Sequence, residues 1–268
     1  MPATLVSSSD CVAERLCAAK PVTWRGRGDL VQVPIPSVTP GLILVLDMWA
    51  GISGAIIALL GLGCRVIVLA AESDPLACAA SQAVMPNIVH IPKVEMISAK
   101  MLVPILRRRK VAAVLYGGGA PCQGNTSLNK QRQGLDDLRS HQPHAVHLLG
   151  AELRMLLDTP EFANQKIALL RWLENVRSAP PAVIEQYSEW LGCQPVEVRA
   201  ARCGYVERNR FLWGAGPDTS VAELGGSCPP DWQMVPGFKS FLELQYIGKR
   251  PLPARVHFQQ GFKPLMDP

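Results

Sequence analysis

Leu42-Ile43-Leu44-Val45-Leu46-Asp47-Met48-Trp49-Ala50-Gly51-Ile52-Ser53-Gly54 decides how the chain folds. Leu42 to Leu46 is an unbroken apolar run between Gly41 and Asp47, the pattern of a strand buried on both faces. A glycine turn follows, and Ser53 or Gly54 opens a helix to about Leu62, with Gly61 and Gly63 as stop signals. The same unit recurs downstream. Arg65 to Ala71 reads as a second strand, followed by Glu72 and a helix from Pro75 to about Val84, with proline at a favourable first position. Ile88 to Ile91 reads as a short third strand. Ala99 to Arg109 is predicted as a helix with a basic end, carrying Pro104 inside it. Val111 to Tyr116 is the fourth strand and Ile167 to Leu173 the fifth. His144 to Leu157 and Ala182 to Leu191 are helices, and Val196 to Ala200 is a sixth strand. This alternation predicts an α/β fold, a doubly wound, mostly parallel, Rossmann-like sheet spanning residues 41–214. Residues 1–40, broken by Pro21, Pro34, Pro36 and Pro40, read as an irregular extension with a short helix over Val12 to Ala19. The periodic pattern dissolves after Trp213.

Bulk composition is that of a core-forming chain: 268 residues, 48% hydrophobic and 18% charged, with a net charge of +5. That mild basic excess accommodates a polyanionic partner without demanding one. The eight cysteines form no CxxC pair, so no metal site is expected. No secretory signal opens the chain, and no apolar run is long enough to span a bilayer, which predicts an intracellular protein without a membrane partner.

Chemistry-bearing residues gather at predicted strand ends, where open α/β sheets bind ligands. Asp47 to Gly54 makes an amide-lined turn for a nucleotide-like ligand, a dinucleotide or S-adenosylmethionine, and Glu72 ends the next strand as a carboxylate for ribose hydroxyls. Taken alone, such glycine turns are common. The fourth strand runs into Gly117-Gly118-Gly119-Ala120-Pro121-Cys122-Gln123-Gly124, a rigid glycine-rich turn that presents a thiol. An isolated loop cysteine is more often structural; a nucleophile requires turn amides or cations that favour its thiolate. Arg132, Arg139, His141, His144 and His147 follow it. Glu174-Asn175-Val176 ends the fifth strand. Arg208 and Arg210 share one face if their segment is extended, and could hold carbonyl or phosphate oxygens.

Together these residues resemble the cytosine-5 DNA methyltransferase family. Asp47 to Gly54 is similar to its cofactor loop D-x-F-x-G-x-G-G, Glu72-Ser73-Asp74-Pro75-Leu76-Ala77 to its second-strand acid, and Glu95 to its third-strand acid. Gly118 to Gln123 is similar to its nucleophile motif G-G-x-P-C-Q, and Gly134 to Ser140 to the loop continuation. Glu174-Asn175-Val176 matches E-N-V, and Arg208-x-Arg210 the arginine pair. The resemblance implies S-adenosylmethionine as cofactor, held by Asp47, Met48, Trp49, Gly51, Gly54, Glu72, Ser73, Glu95 and Pro121. It implies double-stranded DNA with a flipped cytosine as partner, met by Gln123, Ser127, Arg139, Arg208 and Arg210, and a nuclear location in a eukaryote. It assigns Cys122, Glu174, Arg208 and Arg210 to catalysis: the Cys122 thiolate adds to ring carbon 6, Glu174 supports the ring at nitrogen 3 and the 4-amino group, and carbon 5 accepts the methyl group.

Several positions depart from the family pattern. Trp49 replaces Phe, Ser53 replaces Gly, Glu95 replaces Asp and Val206 replaces Gln. Residues 215–268 read as a partial recognition region or irregular tail without the family's late motif, so the chain resembles a C-terminally truncated member. The competing readings are a non-catalytic DNA- or protein-binding remnant of the fold and an RNA cytosine-5 methyltransferase. A nicotinamide-linked oxidoreductase shares the fold but leaves Pro121-Cys122-Gln123 unexplained.

Overall fold

The computed structural model describes residues 9–22, 41–61, 64–199 and 209–215. Seven strands form one sheet: β1 (Leu42–Met48), β2 (Arg65–Ala71), β3 (Val89–Ile91), β4 (Val111–Gly119), β5 (Ala168–Val176), β6 (Val196–Arg199) and β7 (Asn209–Ala215), in the order β3-β2-β1-β4-β5-β7-β6. The β1–β5 ladders are all parallel, and β7 runs antiparallel to both β5 and β6. Successive strands step from β1 toward β3, after which the chain returns to place β4 on the other side of β1. The strand order reverses there, and the crevice between the carboxyl ends of β1 and β4 is the topological switch point at which such sheets bind ligands.

Both faces of β1 and β2 are apolar because helices cover both. On one face α1 (Ser9–Ala18), α4 (Val103–Arg108), α5 (His144–Leu157) and α6 (Pro181–Leu191) pack over Leu44, Leu46, Ile67, Val114 and Leu173. On the other, α2 (Gly54–Gly61) buries Ile56 and Leu60 against Val45, Val66 and Val68. After β2 comes α3 (Pro75–Val84), capped by Asp74, whose carboxylate accepts from the Leu76 amide at 2.8 Å.

The structure moves several expected boundaries. Pro104 does not interrupt a helix: a 3-10 turn over Ala99–Leu102 precedes α4, and the proline lies in the first turn of α4, where its missing N–H leaves no bond unmade. The glycines expected in a turn instead extend β4 to Gly119, and β5 runs on through Glu174 to Val176. Residues 9–18 form the regular helix α1, with Val12 and Leu16 fully buried against the sheet, and Val22 pairs with Val66. β7 covers the stretch around Arg210 that the apolar pattern alone left undefined. The tail read over residues 215–268 lies, apart from Ala215, outside the described residues, as do Val206 and Arg208.

Candidate active site

A cleft of about 880 Å³ opens at the switch point. Trp49 and Gly51 from the β1 turn form one wall, Glu72 and Ser73 beyond β2 the next, Glu95 on a 3-10 turn after β3 a third, and Gly119, Pro121 and Gln123 beyond β4 the last. Four sequence segments distant from one another along the chain meet here, because parallel strands bring all their carboxyl ends to one edge.

The turn after β1 is held in an unusual backbone conformation. Trp49, Gly51 and Ser53 have φ of 66°, 53° and 60°, and two of these carry side chains that disfavour the left-handed region. Two contacts fix it. Gly51 donates its amide to Glu72 Oε2 at 2.8 Å, and Ser53 donates its own to the Ala50 carbonyl at 2.7 Å. Glu72 Oε1 also accepts from the Ser73 and Asp74 amides, at 2.7 and 2.8 Å. A carboxylate has about four lone-pair sites. Three amides engage it, and its carboxylate keeps acceptor capacity at the cleft it lines.

Asp47, at the end of β1, is only 2% exposed. Burial pushes its carboxyl up to about 7, the Ser53 hydroxyl works against that rise, and the Glu72 charge adds to it. Asp47 Oδ2 has no further hydrogen-bond partner among the described residues, and Ser53 is fully buried. Met48 is buried in the core and Gly54 begins α2.

Each glycine at the end of β4 answers a specific close approach. A Cβ on Gly117 would stand 1.7 Å from the Trp172 carbonyl oxygen, and one on Gly118 would stand 1.6 Å from that of Met48 and 3.2 Å from the Trp49 ring. A Cβ on Gly119 would stand 3.0 Å from Glu174 Oε2. These glycines therefore let β1, β4 and β5 close up while Trp49 lies on the β4 backbone. Cys122 follows, half-buried rather than fully presented to solvent. Its carbonyl accepts from the Asn125 and Thr126 amides at 2.9 and 2.8 Å, which makes a tight turn beneath the thiol.

A buried network anchors the long loop that follows. Tyr187 on α6 accepts from Asn125 Nδ2 at 3.0 Å and donates to the Ser140 carbonyl at 2.9 Å, and the Ser140 hydroxyl donates to Asn125 Oδ1 at 2.8 Å. Arg132 donates to the Ser178 carbonyl at 2.6 Å, and the Ser127 amide to Ser178 Oγ at 3.0 Å. Arg139 pairs with Asp137 at 2.6 Å on the exterior, and holds that carboxyl down to about 2. Gln123 is exposed at the cleft.

Glu174 and Arg210 form an ion pair across the β5–β7 ladder, in which Glu174 opposes Leu212 and Val176 opposes Arg210. Asn175 is buried and its Oδ1 accepts from the Val176 amide at 2.8 Å. The structure therefore brings Cys122, Glu174 and Arg210 to the same sheet edge as the cleft. The Asn125–Tyr187–Ser140 network was not read from the sequence. Asn125 and Ser140 resemble ordinary loop residues, and their partner is 62 residues from Asn125 along the chain. The exceptional status of Ser53, by contrast, was visible as a serine in a glycine turn.

No family model matches the chain, and no curated protein sequence matches it. Solved structures do align with it. One is a protein described as a DNA modification methyltransferase encoded within an E. coli prophage, at 19% identity over 65% of this chain and 46% of that one, with a TM-score of 0.46. Another is the Entamoeba histolytica methyltransferase EhMeth, at 13% identity over 67% and 53%, with a TM-score of 0.45. A third is the S. pombe Dnmt2 methyltransferase, at 15% identity over 73% and 57%, with a TM-score of 0.42. The chain spans about half the length of these structures.

Proposed function

We propose that the switch-point edge is the site of an S-adenosylmethionine-dependent methyltransferase that modifies carbon 5 of cytosine in DNA. The observation that carries this reading is the position of Gly119: it lines the cleft and also abuts the Glu174 carboxylate, which is paired with Arg210. Cofactor cleft and base-handling groups therefore share one wall, as a transfer between two bound ligands requires.

The cleft volume suits a nucleoside-sized ligand. Trp49 offers a ring against which the cofactor would pack, Glu72 has acceptor capacity for a ribose hydroxyl, and Glu95, which borders the cleft, would take the adenine amine. S-adenosylmethionine, when bound, supplies an electrophilic methyl group. The protein supplies the rest. The Cys122 thiolate adds to carbon 6 of the cytosine, which makes carbon 5 nucleophilic. Glu174, released from or shared with Arg210, hydrogen-bonds the ring edge, and Arg210 holds the nucleotide. After methylation the carbon-5 proton is lost to a base, the carbon 5–carbon 6 double bond reforms, and the thiolate leaves. The target base has to be out of the duplex stack for Cys122 to reach it.

The test is covalent trapping with S-adenosylmethionine and a duplex containing 5-fluorocytosine, whose fluorine cannot depart as a proton does. A denaturation-resistant adduct is expected with the native protein and not with Cys122→Ser. No adduct on DNA, with the same result on RNA, would leave the non-catalytic binding reading; an adduct on RNA alone would move the substrate assignment to RNA.

A further inference from the structure

Gln142 belongs to the cleft, yet neither the sequence motifs nor the reaction above gives it a part. It lines the cleft and is half-buried. Among the described residues its carboxamide makes no hydrogen bond. Its backbone, in contrast, is fixed. Gln142 closes the 3-10 turn Leu138–His141 by donating its amide to the Arg139 carbonyl at 3.3 Å, and its own carbonyl accepts from the Ala145 amide at 2.9 Å as α5 begins. Just before it, the Ser140 carbonyl accepts from the Tyr187 hydroxyl at 2.9 Å, and His141 Nε2 lies 2.7 Å from the Leu135 carbonyl oxygen. A long polar side chain thus borders the cleft from a rigid base, with its donor and its acceptor both open.

We infer that Gln142 binds the amino-acid end of S-adenosylmethionine; the inference rests on the cofactor reading above. The order of the strands sets the direction of the ligand. The cleft runs from the end of β3 to the end of β4 across β2 and β1, a span of about 14–15 Å at the usual spacing of neighbouring strands. Its ionic side chains, Glu72, Lys93 and Glu95, come from the segments after β2 and β3. Pro92 and Val94 border it there as well, and apolar contact beside a few polar groups suits a base and its ribose. The β4 end differs, because Gly119, Pro121, Gln123 and Gln142 bring no charge to it. With the nucleoside at the β3 end, the rest of the ligand extends toward β4, where the methyl group meets the segment that carries Cys122. The amino-acid end bears a carboxylate and an ammonium, whose charges cancel. A carboxamide answers both, since its N–H groups donate to the carboxylate and its oxygen accepts from the ammonium. A pyrophosphate would instead bring net negative charge to an end whose lining residues, among those described, include no cation. Of the two amides there, Gln123 is exposed, whereas Gln142 is half-buried on its fixed base.

Isothermal titration with two ligands tests this: S-adenosylhomocysteine keeps the amino-acid end, and 5′-methylthioadenosine lacks it. Gln142→Ala is expected to weaken S-adenosylhomocysteine by about tenfold or more, the usual loss of a hydrogen bond to a charged group, and to change 5′-methylthioadenosine by less than about twofold. Because the side chain has no hydrogen bond to lose, the variant should melt like the native protein without ligand, which separates a lost contact from a damaged fold. Unchanged binding of S-adenosylhomocysteine by Gln142→Ala, or an equal loss for both ligands, would overturn the inference and leave the cofactor reading standing. Failure of the native protein to bind either ligand would overturn the cofactor reading and this inference together.

Discussion

Single residues in this site are constrained in different ways, and substitution separates them. A methyl group on Gly118 would meet a backbone carbonyl that cannot move without displacing β1, whereas one on Gly119 would meet the end of the Glu174 side chain, which can rotate away. Gly118→Ala is therefore expected to destabilise the fold by about 3 kcal/mol or more, at the upper end of overpacking effects. Gly119→Ala is expected to cost under about 1 kcal/mol yet to impair methyl transfer, because it moves Glu174 from its place. Urea denaturation beside an activity assay distinguishes the two, and equal stability losses would refute the contrast. Asp47 gives a pH signature of its own. Its folded carboxyl binds a proton more tightly than the unfolded one, with a value near 7 against an ordinary 3.8. Its stabilising contribution is thus complete below about pH 4 and is lost as pH rises through 7. Asp47→Asn remains neutral throughout, so the ligand-free variant should be more stable than the native protein at pH 8, by a few kcal/mol at most, and the difference should vanish at pH 4.

Elements decide how the long loop after β4 is held. Turn bonds such as those onto the Cys122 carbonyl shape residues 122–141 locally, and Ser127 and Arg132 tie them to Ser178, but the buried anchor is Tyr187 on α6, which bonds Asn125 and Ser140 at once. Tyr187→Phe removes both bonds and leaves buried groups unpaired, an expected loss of about 1–3 kcal/mol. It should also make the Leu128–Gln133 stretch more sensitive to limited proteolysis, and unchanged cleavage there would argue that other contacts hold the loop. Burial pushes the Tyr187 phenol up to about 12, so the stability it confers is present below pH 10 and lost between 10 and 12; the Phe variant should lack that alkaline slope. The same contrast between local and distant causes explains what the sequence disclosed. Strand–turn–helix units were legible from Leu42–Gly54 and Arg65–Val84, and a helix from His144–Leu157, because hydrophobic runs and stop residues are local signals. β7 was not, since its partners β5 and β6 supply the reason for its extended form, and α1 was legible only as a short helix because its burial depends on a sheet that begins 24 residues after Ala18. The glycines of β4 were visible, but their purpose lay in β1 and β5. Motif residues marked the edge where the site lies; the depth of Asp47 and the loading of Glu72 by three amides came from the packing.

At the scale of the whole molecule, the cleft straddles the seam of the sheet. One wall comes from the β1–β2–β3 half and the other from β4, so a ligand lodged there contacts both sides of the switch point. A ligand that binds only the folded form stabilises it by mass action, by about 2.7 kcal/mol at a hundredfold excess over Kd. For a domain of this size that corresponds to a rise in melting temperature of roughly 5–10 °C. S-adenosylmethionine should therefore shift the melting transition upward in a concentration-dependent manner, and Glu72→Ala should abolish most of the shift. The variant also loses the acceptor for the Gly51, Ser73 and Asp74 amides, which lie at a partly exposed edge where water can replace it, so its ligand-free melting temperature should fall far less than its ligand response. Glu72→Gln separates the two roles, because it keeps an acceptor oxygen for the turn while removing the charge. If Glu72 serves the cofactor through its charge, the Gln variant should melt like the native protein without ligand and respond weakly with it. If Gln restores the full response, the charge is irrelevant and Glu72 is only a brace for the turn. No shift in the native protein at millimolar cofactor would exclude this cleft as the S-adenosylmethionine site, whatever the fate of the Cys122 adduct.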